Sequence, residues 1–465
     1  MKYISNTFTR LIQFFILNST LLIVSCSVSK QLSHSANNIL INDATISTGH
    51  IGISIYEPAT NTYLYNYDAT KYFVPASNTK LFTLYAGMKY LGDSLIGLRY
   101  NETDSSITIF PTGDPTFLHK DFVDQPVLDF LKKEKRKFYI NPGNWKEQPL
   151  GIGWAWDDYN DSYMVERSPF PIFGNVTSFS LDFSKQGHYQ YFILFKPQFF
   201  EKQNTDPEIK NLNAFRYPKD FHGYGILDLP MFILQRDKAS NQFKQVRSRY
   251  FFSGQEIPFC TDTIATTLKI LNTDYSISIT DTNSIVKDQL VKTIYSQPID
   301  SLFKPMMHNS DNFFAEQTLL MASNEHLGYM SDVDMIDTLL NKDLQDVPQK
   351  PKWVDGSGLS RYNLFTPQDF VYILNKMKNE FGLKRLEIIL PTGGEGSLKN
   401  YYLKDSGFIY AKTGSLSNNN SLSGFLITKK NKLLIFSIMV NNYQGSSIIV
   451  RKAFEQFLEG IREKY

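Results

Sequence analysis

The sequence runs to 465 residues, 42% of them hydrophobic and 20% charged, which fits a globular chain with a sizeable core and excludes a disordered one. Its 48 Lys and Arg nearly balance 46 Asp and Glu, for a formal net charge of +2. With no basic stripe along the chain, charge gives no footing for a nucleic-acid partner.

The first residues, MKYISNTFTRLIQFFILNSTLLIVSCSVSK, carry Lys2 and Arg10 and an apolar centre from Leu11 to Val24. This is the layout of a secretory signal, and Gln13, Asn18, Ser19 and Thr20 break the run too often for a permanent membrane span. The ending Ile23-Val24-Ser25-Cys26 resembles a bacterial lipobox. That resemblance implies removal of 1–25, lipidation of Cys26, and an exported, periplasm-facing protein held at a membrane only by its lipid. A plain signal peptide containing a cysteine is the alternative. Removal takes two cations and no acid, leaving the mature chain neutral. With Cys26 lipidated, Cys260 has no disulfide partner and reads as a small buried apolar residue.

In chain order, Gly52 to Tyr67 alternates apolar and polar residues on both sides of a Pro/Asn turn, the pattern of a β-hairpin. Apolar spacing predicts a helix from Ser77 to Leu91, with Pro75 just ahead of it. From Leu91 to about Ser296, short alternating runs such as SSITIFPTG, HYQYFILFKP and YSISITDT predict strands and no long helix. Helical spacing returns from Pro298 to Asn341 and from Pro367 to Glu380. SGFLITKKNKLLIFSIMVNNY predicts a second hairpin with a charged turn at Lys429–Lys432, and an amphipathic helix from about Ser446 to Lys464 closes the chain. The expected organisation is a domain built from 26–92 and 296–465, with a β-rich inserted region over 93–295, divisible into two subdomains.

Three short motifs carry chemistry. Ser77-Asn78-Thr79-Lys80 sets a hydroxyl and an amine on one helix face, where the helix N-terminus favours a developing alkoxide. Alone it is weak, because SVSK at Ser27–Lys30, SIVK at Ser284–Lys287 and SLFK at Ser301–Lys304 have the same spacing, and a helix cap explains any one of them. Ser310-Asp311-Asn312 lies at a loop-to-helix transition and also reads as a cap. Lys412-Thr413-Gly414 lies before the last hairpin and also reads as a strand ending at a glycine turn.

SxxK, SDN and KTG in this order form the signature of class A β-lactamases and penicillin-binding proteins. With PASNTKLFT, SDNFFAE, DGSGLSRYN, LPTGGEGSL and AKTGSLSNNNSLSGF, the chain resembles the D-alanyl-D-alanine carboxypeptidase/endopeptidase family. These are low-molecular-mass penicillin-binding proteins with a large insertion between the first two motifs. GDPTF at Gly113–Phe117 and GWAWDDY at Gly153–Tyr159 resemble landmarks within it. The resemblance implies an α/β (α+β) fold of the penicillin-binding-protein/serine β-lactamase type, with an antiparallel sheet flanked by helices, a helical subdomain and a β-rich inserted domain. It implies an acyl-enzyme on Ser77, peptidoglycan stem peptides as substrates, β-lactams as covalent inhibitors, and no cofactor.

The chemistry has its own logic. A serine hydroxyl needs an adjacent base, and a lysine with its ordinary pKa of about 10.4 cannot serve until burial and a neighbouring cation lower it. Lys80 is the expected base and Lys412 the expected cation. Ser310 would pass protons between the leaving amine and the lysines, and Asn312 would bind the substrate's backbone amide and orient Lys80. Lys412, Thr413 and Ser415 would receive a terminal carboxylate, with Gly414 in the same substrate-binding strand. By resemblance, the backbone N–H groups of Ser77 and Ser415 form the oxyanion hole. Asp355, Ser357 and Arg361 are assigned structural support rather than chemistry.

The seven histidines include no HExxH and no close pair, so no metal site is expected, and no GxSxG elbow is present. His308 reads as a loop residue. A β-lactamase or esterase on the same fold, or a non-catalytic cell-wall-binding lipoprotein, remain the alternatives.

Overall fold

The alternating residues of the first hairpin pair as antiparallel strands His50–Glu57 and Thr62–Tyr67 in the computed structural model. It describes residues 29–182, 192–196, 231–236, 243–248, 255–258, 278–279 and 291–465. The signal-like segment 1–25, Cys26, Cys260 and the SIVK run lie outside the described residues, as does most of YSISITDT.

Contacts divide the chain into two units. The first comprises Met1–Met88, Phe303–Asp311 and Ile336–Tyr465, and the second Lys89–Leu302 and Asn312–Met335. Residues 312–335, grouped by the sequence reading with the chain ends, thus fall in the second unit. Buried Gln317 shows why: its side-chain amide donates to Gly113 O at 2.7 Å and to Ser168 O at 2.9 Å.

The first unit is built on a five-stranded antiparallel sheet in the order Ile409–Leu416, Asn419–Ile427, Leu433–Asn441, His50–Glu57, Thr62–Tyr67. Strands from opposite chain ends pair from His50 with Asn441 to Tyr56 with Ile435, which makes one domain of both termini. One face carries Ile53, Ile55, Phe436, Ile438 and Val440. It packs on Val450, Phe454, Phe457 and Ile461 of helix Ser447–Lys464, and Leu32, Ala36 and Leu40 join the same core. Ser446 caps that helix by accepting from Ile448 N at 3.3 Å.

Elsewhere in the sheet, small polar residues leave room for a neighbour. Asn78 Nδ2 donates to Ser423 Oγ at 2.8 Å, and Ser423 Oγ donates to Ser437 Oγ at 2.8 Å, all buried. The expected Ser77–Leu91 helix is in fact a 3₁₀ turn over Ala76–Thr79 followed by an α-helix over Lys80–Tyr90. Every residue from Lys80 to Met88 is buried, and the Phe82 ring sits 4.8 Å from Phe365 and 5.7 Å from Phe370, centroid to centroid.

The second unit is rich in strands. One sheet runs Ser278–Ile279, Lys137–Ile140, Ser106–Phe110, Ser94–Glu102, Lys292–Pro298. Its last two strands pair antiparallel, from Lys292 with Tyr100 to Pro298 with Ser94, and so clamp together the two ends of the 93–295 region. A three-stranded sheet, Gln255–Pro258, Val176–Asp182 and Phe192–Lys196, and a hairpin, Met231–Arg236 with Phe243–Ser248, complete its strands among the described residues.

Candidate active site

The SxxK turn, the SDN loop and the KTG strand bring Ser77, Lys80, Ser310 and Lys412 into the first unit. Ser77 does not act as a helix cap. The residue at the cap position is Pro75, no side chain caps the turn, and Lys80 Nζ donates to Ser77 Oγ at 2.9 Å. Ala76, just ahead of the serine, has a φ of +50°, and Ser310 has a φ of +59°. Non-glycine residues rarely enter this left-handed region, so local backbone strain flanks one hydroxyl and coincides with the other.

Lys80 is completely buried, and its Nζ also donates to the backbone carbonyl of Ser357 at 2.7 Å. That contact explains DGSGLSRYN. The Asp355 carboxylate accepts from Gly358 N at 2.8 Å, Ser360 N at 2.6 Å and Asn363 Nδ2 at 2.7 Å, closing the loop on itself. Thr83 Oγ1, one turn beyond Lys80, donates to Gly356 O at 2.6 Å. The loop therefore supplies carbonyls to the helix that carries the amine, while Arg361 is exposed.

Lys412 lies on strand Ile409–Leu416, which continues through Gly414 instead of ending there. A Cβ on Gly414 would stand 2.4 Å from Pro75 O, so only glycine lets the strand meet the nucleophile turn. Lys412 Nζ, also fully buried, donates to Ser310 Oγ at 2.8 Å and to Thr413 O at 2.8 Å. Burial, then the charge of Lys80, hold the Lys412 ammonium well below its ordinary value. The sequence reading made Lys412 the cation beside Lys80; its burial, as complete as that of Lys80, makes that charge costly to hold.

Thr413 Oγ1 donates to Ser397 Oγ at 2.8 Å, and Ser415 Oγ donates to Asn420 Oδ1 at 3.1 Å. Asn312 belongs to the second unit, where it opens helix Asn312–Leu327 and donates from Nδ2 to Tyr163 O at 2.9 Å. His308 is no loop residue. It ends helix Ile299–His308, its Nε2 is buried without a partner, and burial lowers its pKa. Among the described residues, no cluster of His, Cys, Asp or Glu is arranged to hold a metal.

Sequence reasoning missed three groups in this neighbourhood: the Ser357 carbonyl, Ser397, and Arg451, whose Nη2 donates to Ser415 Oγ at 2.8 Å. The first is backbone and carries no side-chain signature. Paired glycines around Ser357 were the available hint for the first, and GEGS ahead of the KTG strand for Ser397.

A family model described as the D-Ala-D-Ala carboxypeptidase 3 (S13) family matches residues 33–208 and 256–460. The D-alanyl-D-alanine carboxypeptidase DacB of Haemophilus influenzae is 23% identical over 456 residues, covering 91% of this chain and 92% of that one. The crystal structure of penicillin binding protein 4 (dacB) from Haemophilus influenzae matches with a TM-score of 0.68 at 20% identity, covering 92% of this chain and 98% of that chain. A second structure of that protein, complexed with a β-lactam, gives 0.62 at 17% identity, with 93% and 98% covered. The fold is thus of the penicillin-binding-protein/serine β-lactamase type.

Proposed function

The chain belongs to the D-Ala-D-Ala carboxypeptidase 3 (S13) family, and on that premise we propose that it is a serine-type D-Ala-D-Ala carboxypeptidase working through an acyl-enzyme on Ser77. Its substrates are peptidoglycan stem peptides, and cleavage of cross-linked peptides is the same chemistry on a longer leaving group. The observation that carries this reading is the completely buried Lys80, its Nζ 2.9 Å from Ser77 Oγ.

With Lys80 as the neutral amine, that hydrogen bond reverses and the hydroxyl donates to Nζ. Ser77 Oγ attacks the carbonyl of the penultimate D-Ala while its proton passes to Lys80. The N–H groups of Ser77 and Ser415 receive the oxyanion, a role worth about 10²–10³ in turnover per donor. As the C–N bond breaks, the leaving amine takes a proton through Ser310, which Lys412 supplies from 2.8 Å away. An amine held low by burial gives up that proton readily. The proton held by Lys80 passes through Ser310 to Lys412, restoring both lysines; water then attacks the ester, giving its proton to Lys80, which hands it to Ser77 Oγ as the ester C–O bond breaks. Asn312, two residues beyond Ser310 in the chain, is given the substrate amide on the family resemblance alone. The residues over 93–295 serve as an accessory region in this reading.

Export and a lipid on Cys26 belong to the same proposal and rest on the lipobox-like ending of the leader. Cys26→Ser would release the protein from membranes into the soluble fraction. The central test incubates protein lacking residues 1–26 with a fluorescent penicillin, then digests it to find the labelled peptide, and separately measures D-alanine released from a pentapeptide. A stable adduct on Ser77, absent in Ser77→Ala, together with D-alanine release is the expected outcome. Rapid penicillin turnover without an adduct would make the protein a β-lactamase, and neither adduct nor release would leave it a binding protein.

A further inference from the structure

The first described residues form a helix, 29–36, whose Leu32 and Ala36 are buried in the core of the first unit together with Ile461. Gln31, Leu32 and Ser35 share a pocket with Ile461, Lys464 and Tyr465, so the start of this helix lies against the end of helix Ser447–Lys464. The charged turn after strand Asn419–Ile427 meets that same end. Lys429 N donates to Arg462 O at 3.0 Å, and Lys430 Nζ donates to Lys464 O at 3.2 Å. Lys432 Nζ stands 4.5 Å from the centre of the Tyr465 ring. Three segments distant in sequence thus bring Lys30, Lys429, Lys430, Lys432 and Lys464, all exposed, to one end of the unit.

Acids answer only part of this charge. Glu463 pairs with Lys429 at 2.5 Å and Glu57 with Lys432 at 3.2 Å. Lys30, Lys430 and Lys464 have no carboxylate side chain as partner among the described residues, and the Tyr465 carboxylate offsets one of them at most. Glu459, one turn before Glu463, is partly buried. Lysine ammoniums are compact charges on flexible stems, suited to a diffuse layer of negative charge rather than to one fixed anion. Ser29 comes three positions after Cys26, so at no more than about 3.6 Å per residue a lipidated Cys26 lies within about 11 Å of the helix start. That reach is about one Debye length, within which an anionic bilayer surface attracts lysines.

We propose that this lysine-rich end is a docking surface for a bilayer of anionic phospholipid headgroups, and that it sets which way the first unit faces. The inference rests on the proposed lipid at Cys26 and adds to it: the lipid retains the protein, while the lysines lay this end on the membrane. The consequence concerns the active site. Ser421, paired with Gly414, lies six positions before Ile427, which at about 3.3 Å per residue puts Gly414 about 20 Å from the lysine turn. Docked in this way, the first unit holds its KTG strand clear of the headgroups, where a wall peptide can reach it.

The test sediments protein lacking residues 1–26, which keeps every described residue, with vesicles of phosphatidylcholine alone or mixed equally with phosphatidylglycerol. Binding to the mixed vesicles, lost in high salt and absent with phosphatidylcholine alone, is the expected result. Each lysine near such a surface is worth about fivefold in partitioning, so Lys30→Gln, Lys430→Gln and Lys464→Gln combined should weaken binding about 100-fold. Lys132→Gln, Lys133→Gln and Lys135→Gln combined remove the same charge from exposed positions of the second unit and should weaken it by roughly threefold or less. Both triple variants should acylate with penicillin at the wild-type rate, which assigns any lost binding to the surface and not to the fold. No binding by the unsubstituted protein, or equal loss in the two triple variants, overturns the docking surface and leaves the lipid reading standing. A membrane-fraction protein whose N-terminal peptide has the mass of an unacylated Cys26 defeats the lipid reading, and the docking surface falls with its tether.

Discussion

Lys412 Nζ and Ser310 Oγ lie 2.8 Å apart, although 102 positions separate them in the chain. The contact sets a function against stability at one residue. A lysine held below its ordinary value binds a proton less readily when folded than when unfolded. Between the depressed value and about 10.4 the unfolded chain therefore holds the extra proton, and stability rises with pH across that window. Lys412→Met should remove the slope and leave the neutral-pH melting temperature no lower than wild type, because a buried charge is exchanged for an apolar chain of similar length. Acylation by penicillin should nevertheless slow by about 10²–10⁴, the usual worth of a positioned proton-transfer group. An acylation rate within threefold of wild type would take Lys412 out of the proton path.

A second titration lies in the other unit. Arg167 donates to Asp332 Oδ2 at 2.5 Å, to Glu147 Oε1 at 3.1 Å and to Glu316 Oε2 at 3.4 Å, so three acids share one buried guanidinium. Burial pushes Asp332 up to about 8, against the pull of Arg167, and a hydrogen bond shared with Glu147 reinforces it. Between an unfolded value near 3.9 and about 8, the folded protein holds a proton that the unfolded chain has released. Stability from this group is therefore complete below that window and is lost as pH rises through it. Asp332→Asn, which carries a permanent amide where the protonated acid stood, should flatten the fall in melting temperature between pH 5 and pH 8 (about the window defined by those two values). An unchanged slope would show that the proton resides elsewhere in the cluster.

How far the sequence carried the argument depends on where each signal resided. The two hairpins were legible because period-two alternation is local, and their pairing through His50–Glu57 and Leu433–Asn441 followed once both were found. The three motifs were legible because each needs particular side chains at fixed spacing. The Ser357 carbonyl was not, since any residue offers the same oxygen to Lys80. Arg451 was hidden because nothing local to the last helix announces that it meets Ser415, 36 positions earlier. The downward pull on the Lys412 ammonium was hidden for a related reason. Its complete burial is a property of everything packed around it, which no motif encodes.

The loop that serves Lys80 leads to the last prediction, which separates backbone conformation from contact. Gly358 has a φ of +84°, and a Cβ there would stand 1.9 Å from Ala76 O and 2.9 Å from Thr79 Oγ1. Gly382, after helix Pro367–Phe381, has the same φ of +84° but meets nothing within 4 Å. Alanine at either position costs the strain of a positive φ, about 1–3 kcal/mol. Only at position 358 must something also move, and what would move is the peptide just ahead of Ser77. Gly382→Ala should thus lower the melting temperature through backbone strain alone and acylate at the wild-type rate. Gly358→Ala should melt lower still and acylate at least ~10-fold more slowly, as a displacement of about 1 Å can cost up to 10² in rate. If the two variants acylate alike, the DGSG loop supports the fold without positioning the nucleophile.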